Sequence, residues 1–252
     1  MKWNVAINDF KNYLKIERNL SLNTIESYLF DVKKLIVYLK KNKINKEPLT
    51  LQSDQIKEFI YHISKEIKPQ TQARIISGLR RFYDYLILEE LIEINPMKNI
   101  ETPKIGVHLP TTLTLKEIDK MISNIKLTSK TGIRNVAIIE LLYSCGLRVS
   151  ELVNLKVSDL FFKESLIKVT GKGNKERFVP ISVLSQEYIN NYLNEIRQHH
   201  KIKKNFEDTL FLNERGTNLS RNMIFIIIKK LKKQSNINKK IGPHTLRHSF
   251  AT

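Results

Sequence analysis

One stretch divides the chain before any element is assigned. "NPMKNIETPKIGVHLP", residues 95–110, carries Pro96, Pro103 and Pro110 and has no 3.6-residue apolar period. Proline removes a backbone donor and excludes the helical conformation from the residue before it, so a helix cannot run through this segment. With polar and basic residues between the prolines, it reads as a linker over 96–111. What lies before it, residues 1–95, and after it, residues 112–252, must then bury apolar surface separately. At 252 residues the chain is long enough for two such cores.

The first part reads as helix throughout. From Ser21 to Lys41 the apolar residues are Ile25, Tyr28, Leu29, Val32, Leu35, Ile36 and Leu39, one helical stripe behind a candidate cap at Ser21. A second stripe is Ile56, Phe59, Ile60 and Ile63, with Ser53 as its expected cap. A third runs through Ile75, Ile76, Leu79, Phe82, Tyr83, Leu86 and Ile87, and its Arg74, Arg80 and Arg81 can reach solvent or a phosphate backbone. A helix over roughly Asn4–Ile16 completes a four-helix bundle.

The second part is mixed. Thr114 and Glu117 have capping-box spacing ahead of Ile118, Met121, Ile122 and Ile125. Ile133–Tyr143 is apolar nearly all round, the pattern of a buried helix. In "SLIKVTGKGNKERFVPI", β-branched residues flank Gly171-Lys172-Gly173-Asn174, which predicts a hairpin. Helices are expected over Val183–His199 and after Ser220, where Ile224, Ile227, Ile228 and Leu231 share one face. Gly242-Pro243 then opens a last helix, with proline at its first position. The fold class is mainly α with a small β-hairpin or sheet.

Charge narrows the partners. Lys and Arg number 43 against 25 Asp and Glu, a net +18. Residues 1–105 carry +5 of this and residues 106–252 carry +13. A polyanion is the favoured partner, because phosphate binding releases condensed counterions. A single cysteine, Cys145, excludes an internal disulfide and a Cys-rich zinc site, and reads as a small buried hydrophobe. His199-His200 has no matching carboxylate or Cys spacing, so no metal is expected. Met1–Phe10 has no signal-peptide pattern, and the longest apolar run, Met223–Ile228, is too short to span a bilayer. No membrane contact is expected, and the setting is read as cytoplasmic.

Three places can carry chemistry. In "YSCGLRVSEL", Arg148 follows a glycine and precedes Glu151 by three residues; alone, this reads as a surface ion pair. Lys172, with Lys175 and Arg177 beside it, marks the proposed hairpin; alone it reads as a solvated turn lysine, and the G-x-x-x-x-G-K-[ST] phosphate loop is absent. His244, Arg247 and His248 fall at i, i+3 and i+4, one cationic face on a short helix.

Taken in order, behind a helical bundle and a linker, these blocks resemble those of the tyrosine recombinases, and most closely the bacterial Xer recombinases. "LSLNTIESYLFDVKKLIVYL" is similar to the first helices of their core-binding domain, and "NPMKNIETPKIGVHLPTTLTLKEIDKMI" to their linker and the start of their catalytic domain. "YSCGLRVSELVNLKVSDL", "VTGKGNKERFVPI" and "GPHTLRHSFAT" resemble three of their catalytic blocks. The resemblance implies a SAM-like core-binding domain over 1–95 and an α+β catalytic domain over 112–252.

It also implies roles. Arg148 and Arg247 would bind the non-bridging oxygens of a scissile phosphate, Lys172 would protonate the leaving 5′ oxygen, and His244 would manage the nucleophile's proton. Glu151 and His248 would support them, while Arg74, Arg80, Arg81, Lys175 and Arg177 are expected to contact DNA. The implied partners are a double-stranded recombination site and protomers of the same or a sister type, forming a tetramer on two duplexes. No cofactor is implied, because strand exchange through a phosphotyrosine conserves bond energy. The family's nucleophilic tyrosine lies beyond the H-x-L-R-H block. None of the nine tyrosines here does, the last being Tyr192. The catalytic domain is therefore expected to be incomplete at its C-terminus, with a partly exposed apolar surface near Phe250.

Overall fold

The computed structural model describes residues 1–106 and 111–250, except the side chain of Lys172. Its chain separates into two compact units, Met1–Val107 and His108–Thr252, each with a hydrophobic core of its own. The expected linker does not all lie between them. Met97 and Ile100 are buried in the first core, and Arg80 donates to the Ile100 carbonyl at 2.9 Å. Two apolar side chains spaced three apart were enough to fold this proline-containing segment back onto the bundle. Residues 107–110 of the expected linker lie outside the described residues.

The first unit is four helices: α1 (Trp3–Ile16), α2 (Leu22–Lys41), α3 (Ser53–Ser64) and α4 (Pro69–Leu88). Each predicted stripe faces inward, and α4 packs against both α2 and α3. Pro69 starts α4, where its missing N–H needs no partner. Phe10 meets Phe82 edge-on at 5.3 Å, and Trp3 stacks on Phe82 at 6.0 Å. The caps depart from expectation. The Ser21 hydroxyl pairs with the Thr24 hydroxyl at 2.8 Å rather than with a backbone N–H. α3 is capped one residue earlier than expected, the Gln55 side chain accepting from the Gln52 N–H at 2.9 Å. Ser53 is the first helical residue instead, and its hydroxyl is buried without a hydrogen-bond partner among the described residues.

One buried charge sits between α2 and α4. Asp31 is fully buried, with Arg74 at 2.8 Å from Oδ2. A Cβ at Gly78 would lie 2.5 Å from that oxygen, so only glycine fits opposite the carboxylate. Burial pushes the Asp31 carboxyl up to about 6, against the pull of Arg74. Below that value the folded state holds a proton that the unfolded state releases until its ordinary range near 3.8. The sign follows: the first unit is expected to gain stability as pH falls from about 6 toward 4. Urea melts followed by the fluorescence of Trp3, the only tryptophan, should show this gain, and Asp31→Asn should remove it. A melt independent of pH across that window would contradict the assignment.

The second unit runs α5 (Leu115–Ser123), α6 (Lys130–Ser144), α7 (Val149–Val153), β1 (Leu160–Phe161), β2 (Leu166–Thr170), β3 (Glu176–Pro180), α8 (Val183–Asn191), α9 (Arg221–Gln234) and α10 (Pro243–Phe250). The Thr114–Glu117 capping box forms, with N–H to carboxylate at 2.8 Å and N–H to hydroxyl at 3.3 Å. α6 is the buried spine, and Val136, Ala137, Ile138, Ile139, Leu141 and Leu142 are all inaccessible. The sheet is antiparallel in the order β1-β2-β3, and Thr170 pairs with Glu176 at the hairpin end. The short β1 was not expected; a two-residue strand leaves no alternation to read. α8 continues through a π-helical turn, Tyr192–Ile196, and a 3₁₀ turn, Arg197–His199. Tyr192 thereby enters the core, where its hydroxyl accepts from the Leu212 N–H at 3.0 Å.

Candidate active site

The site forms where three segments of the second unit meet. α6 stops at Ser144, and the chain turns through Gly146 at φ 56°, a left-handed conformation that favours glycine. The turn leaves Arg148 extended at the N-terminus of α7, one turn before Glu151. Glu151 accepts from the Arg148 backbone N–H at 2.8 Å through Oε2 and from Arg148 Nη1 at 2.8 Å through Oε1.

The second segment is α10. Pro243 opens it, and the Thr245 hydroxyl accepts from the Gly242 N–H at 3.1 Å. The Ser249 hydroxyl accepts from the Leu113 N–H at 2.8 Å and fastens the helix to the start of the unit. A Cβ at Gly146 would come within 2.6 Å of the Phe250 ring, so the glycine also permits the helix to approach. This approach carries Arg247 to the Gly146 carbonyl, to which its Nη1 donates. The same Nη1 lies 3.7 Å from Glu151 Oε2. His244 and His248 are exposed on α10, and Phe250 is 55% exposed at its end.

The third segment is the hairpin. Gly171 N–H to the Lys175 carbonyl, at 2.8 Å, closes its loop, and Gly173 turns through φ 74°. Lys172 belongs to this loop, and its side chain lies outside the described residues. From β3, Arg177 donates to both oxygens of Glu151, at 2.8 and 3.0 Å.

Three guanidinium groups thus surround one buried carboxylate. Burial alone would raise the Glu151 carboxyl, but hydrogen bonds from Arg177 and Arg148 outweigh it and hold the group at about 2. It is ionised throughout the physiological range. Burial, and then the like charge of Arg148, lower the Arg247 value, while the Glu151 hydrogen bonds raise that of Arg177. The cluster keeps a net positive charge on a partly open surface, a setting that suits a tetrahedral oxyanion.

The other expected residues are dispersed. Lys175 is exposed on the hairpin. Arg74, Arg80 and Arg81 belong to the first unit, where Arg74 is held by Asp31 and Ser27 and Arg81 is exposed. Arg177 is on Glu151 rather than in open solvent. The signal for this was the two-residue period of "ERFVP", which puts Arg177 on the same face as Val179. Tyr143 packs against the core, and Cys145 is buried, with its thiol pushed up to about 11 by burial. Among the described residues no cluster of His, Cys, Asp and Glu could hold a metal ion, and no helix is long and apolar enough to cross a membrane.

The clustered arginines lie on an α+β domain behind a four-helix unit, and the proteins this chain is similar to are DNA strand-transfer enzymes. Residues 111–252 match the phage integrase family and residues 7–90 match the phage integrase N-terminal SAM-like domain, so the chain belongs to the tyrosine recombinase family. Within that family it is similar to tyrosine recombinase XerD of Listeria innocua, 39% identical over 250 residues, covering 99% of this chain and 84% of the relative. XerD of Oceanobacillus iheyensis is 41% identical over 248 residues, covering 98% and 83%. Among solved structures, XerA recombinase aligns at 29% identity and a TM-score of 0.51, covering 98% of this chain and 82% of the other. XerH bound to its palindromic difH substrate shares the fold at 24% identity and a TM-score of 0.77, covering 97% and 72%.

Proposed function

We propose that these residues supply the DNA-binding surface and the phosphate-binding site of an XerD-type site-specific recombinase, which resolves chromosome dimers in the cytoplasm. The observation that carries this reading is the convergence of Arg148 and Arg247, distant in sequence, on the carboxylate of Glu151. In the reaction, both arginines hold the non-bridging oxygens of the scissile phosphate. A tyrosine hydroxyl attacks phosphorus, with His244 managing its proton, and a 3′-phosphotyrosine forms. The P–O5′ bond breaks, and Lys172, on the hairpin loop, gives the departing oxygen its proton. A partner strand's 5′ hydroxyl reverses the step. Charge on the phosphorane is met by guanidinium alone, so the residues present supply what the step needs electrostatically.

The first unit, with Arg81 and the anchored Arg74 on its surface, serves as the core-binding domain on duplex DNA. Arg80 and Lys175 add to the contact, and His248 supports the site from α10. The assembly is a tetramer on two duplexes, with protomers of the same or a sister type. XerH and lambda integrase are both seen bound to DNA, the latter as a dimer on a core site, which supports duplex DNA as the partner here. Transposon integration is a competing use of this fold, since the Tn1549 integrase shares it.

The test needs a tyrosine beyond Arg247. Grafting the C-terminal segment of the Listeria innocua XerD after Thr252 provides one. On a nicked suicide duplex the chimera should become covalently attached to DNA, while residues 1–252 should bind and form no adduct. An adduct on residues 1–252 would overturn the placement of the nucleophile. No adduct from the chimera, with duplex binding intact, favours a second reading in which the chain clamps DNA without cutting it. Affinity should also fall linearly on a log–log salt plot, with a slope near −0.9 for each phosphate neutralised. A flat response would sink the basic-surface argument.

A further inference from the structure

An ionised carboxylate offers about four lone-pair positions. At Glu151 all four are occupied: Oε1 takes Arg148 Nη1 and Arg177 Nη1, and Oε2 takes the Arg148 N–H and Arg177 Nη2. Arg247, at 3.7 Å from Oε2, has an electrostatic contact and no hydrogen bond to it. The Glu151 side chain is only 1% exposed, so water does not compete for these positions. Half of its capacity is used by a single side chain, Arg177, through a two-point fork.

We propose that Arg177 is a positioning residue: by occupying two lone pairs of Glu151 it limits the carboxylate's grip on Arg148 and Arg247 and leaves both guanidinium groups available to a phosphate. Without it, a buried anion with two vacant acceptor positions stands beside two arginines. Arg247 closes the remaining distance, Arg148 pairs more fully, and more of their donor capacity is spent on Glu151 instead of on a phosphate. Arg177 also joins two elements. It projects from β3, while Glu151 belongs to α7, and Gly171, at the base of the lysine loop, would place a Cβ 3.5 Å from both Arg177 Nη1 and Glu151 Oε1. The stem of the hairpin is therefore latched to the helix that presents Arg148. Geometry favours a fork: the three donors of a lysine radiate from one nitrogen and cannot give two parallel bonds to the two carboxylate oxygens.

The inference rests on Arg148 and Arg247 being the phosphate ligands, and its test separates the two ideas. Inorganic phosphate is titrated into residues 1–252 while the arginine Nε–H resonances are followed by NMR. In the wild type, Arg148 and Arg247 should shift and Arg177 should stay in place. Arg177→Ala should weaken phosphate binding by about tenfold, within the range of coupling seen for contacting groups. Arg177→Lys should fall between the two. The decisive variant is Arg177→Ala combined with Glu151→Gln. With no carboxylate to capture the arginines, binding should return to the wild-type level, and that recovery also excludes misfolding as the cause of the single variant's loss. Equal binding by wild type and Arg177→Ala would overturn the proposal. So would a shift of Arg177 as large as that of Arg148, which would make it a direct ligand, or a double variant as weak as the single one. A wild type whose Arg148 and Arg247 never respond to phosphate overturns the underlying reading as well, and is recognised before any variant is made.

Discussion

Replacing Arg247 by alanine in the XerD-tailed chimera should slow DNA cleavage by about 10³-fold, the upper range for losing one preorganised donor to a developing oxyanion. Of the arginines around Glu151, Arg247 is the one without a hydrogen bond to it. Its Nη1 donates to the Gly146 carbonyl, and the side chain is partly exposed. Its charge is therefore the least compensated of the three. Duplex affinity should change little, because one phosphate contact among many is lost. Arg247→Lys should recover only a small part of the rate, since a lysine cannot bridge two phosphate oxygens in a plane. Single-turnover cleavage with the nicked duplex measures the first quantity, and gel titration the second. A drop in affinity matching the drop in rate would make Arg247 a ground-state clamp, and the electrostatic argument would fail.

Phe82→Ala is expected to cost the first unit about 3–5 kcal/mol. Phe82 is fully buried on α4, between Phe10 at 5.3 Å, Trp3 at 6.0 Å and Tyr83 at 5.3 Å. Its removal leaves a cavity bounded by three aromatic rings, which cannot bend to fill it. A loss of this size is comparable with the whole stability of a small domain. Trp3 stands against the deleted ring, so its fluorescence in a urea melt reports the affected unit directly. A shift below about 1 kcal/mol would mean that the bundle collapses around the cavity.

Much of this architecture was legible in the sequence because it is written in periodicity. The three stripes of the first unit, the apolar face of α9 and the all-round apolar α6 each required burial, and each is buried. The β2–β3 hairpin was legible because glycines stand where the backbone must turn. Other features depend on contacts that no local pattern encodes. Met97 and Ile100 fold a proline-containing segment back onto the bundle, because two well-placed apolar side chains outweigh what composition suggests. The cap of α3 moved to Gln52 because Gln55 reaches back to its N–H. At the site, Arg148 and Glu151 were visible as a pair three residues apart. Their meeting with Arg247 was implied by resemblance to a family, not by spacing. The ion pair of Arg177 with Glu151 had no sequence signal beyond the face on which Arg177 lies. A strand's alternation gives the face of a residue, and only the packed structure gives its partner.

The existence of two separate cores on one chain has a thermodynamic consequence for DNA. Under the proposed function each unit can be modest in its own grip, because the covalent connection keeps the second binding event intramolecular. For short tethers that volume corresponds to millimolar local concentration, and the combined hold can exceed either part by about 10²–10⁴. Release can then proceed one unit at a time, each step crossing a lower barrier than detachment of the whole. In the recombination proposed above, residence on DNA and release of products would both follow from this one covalent connection.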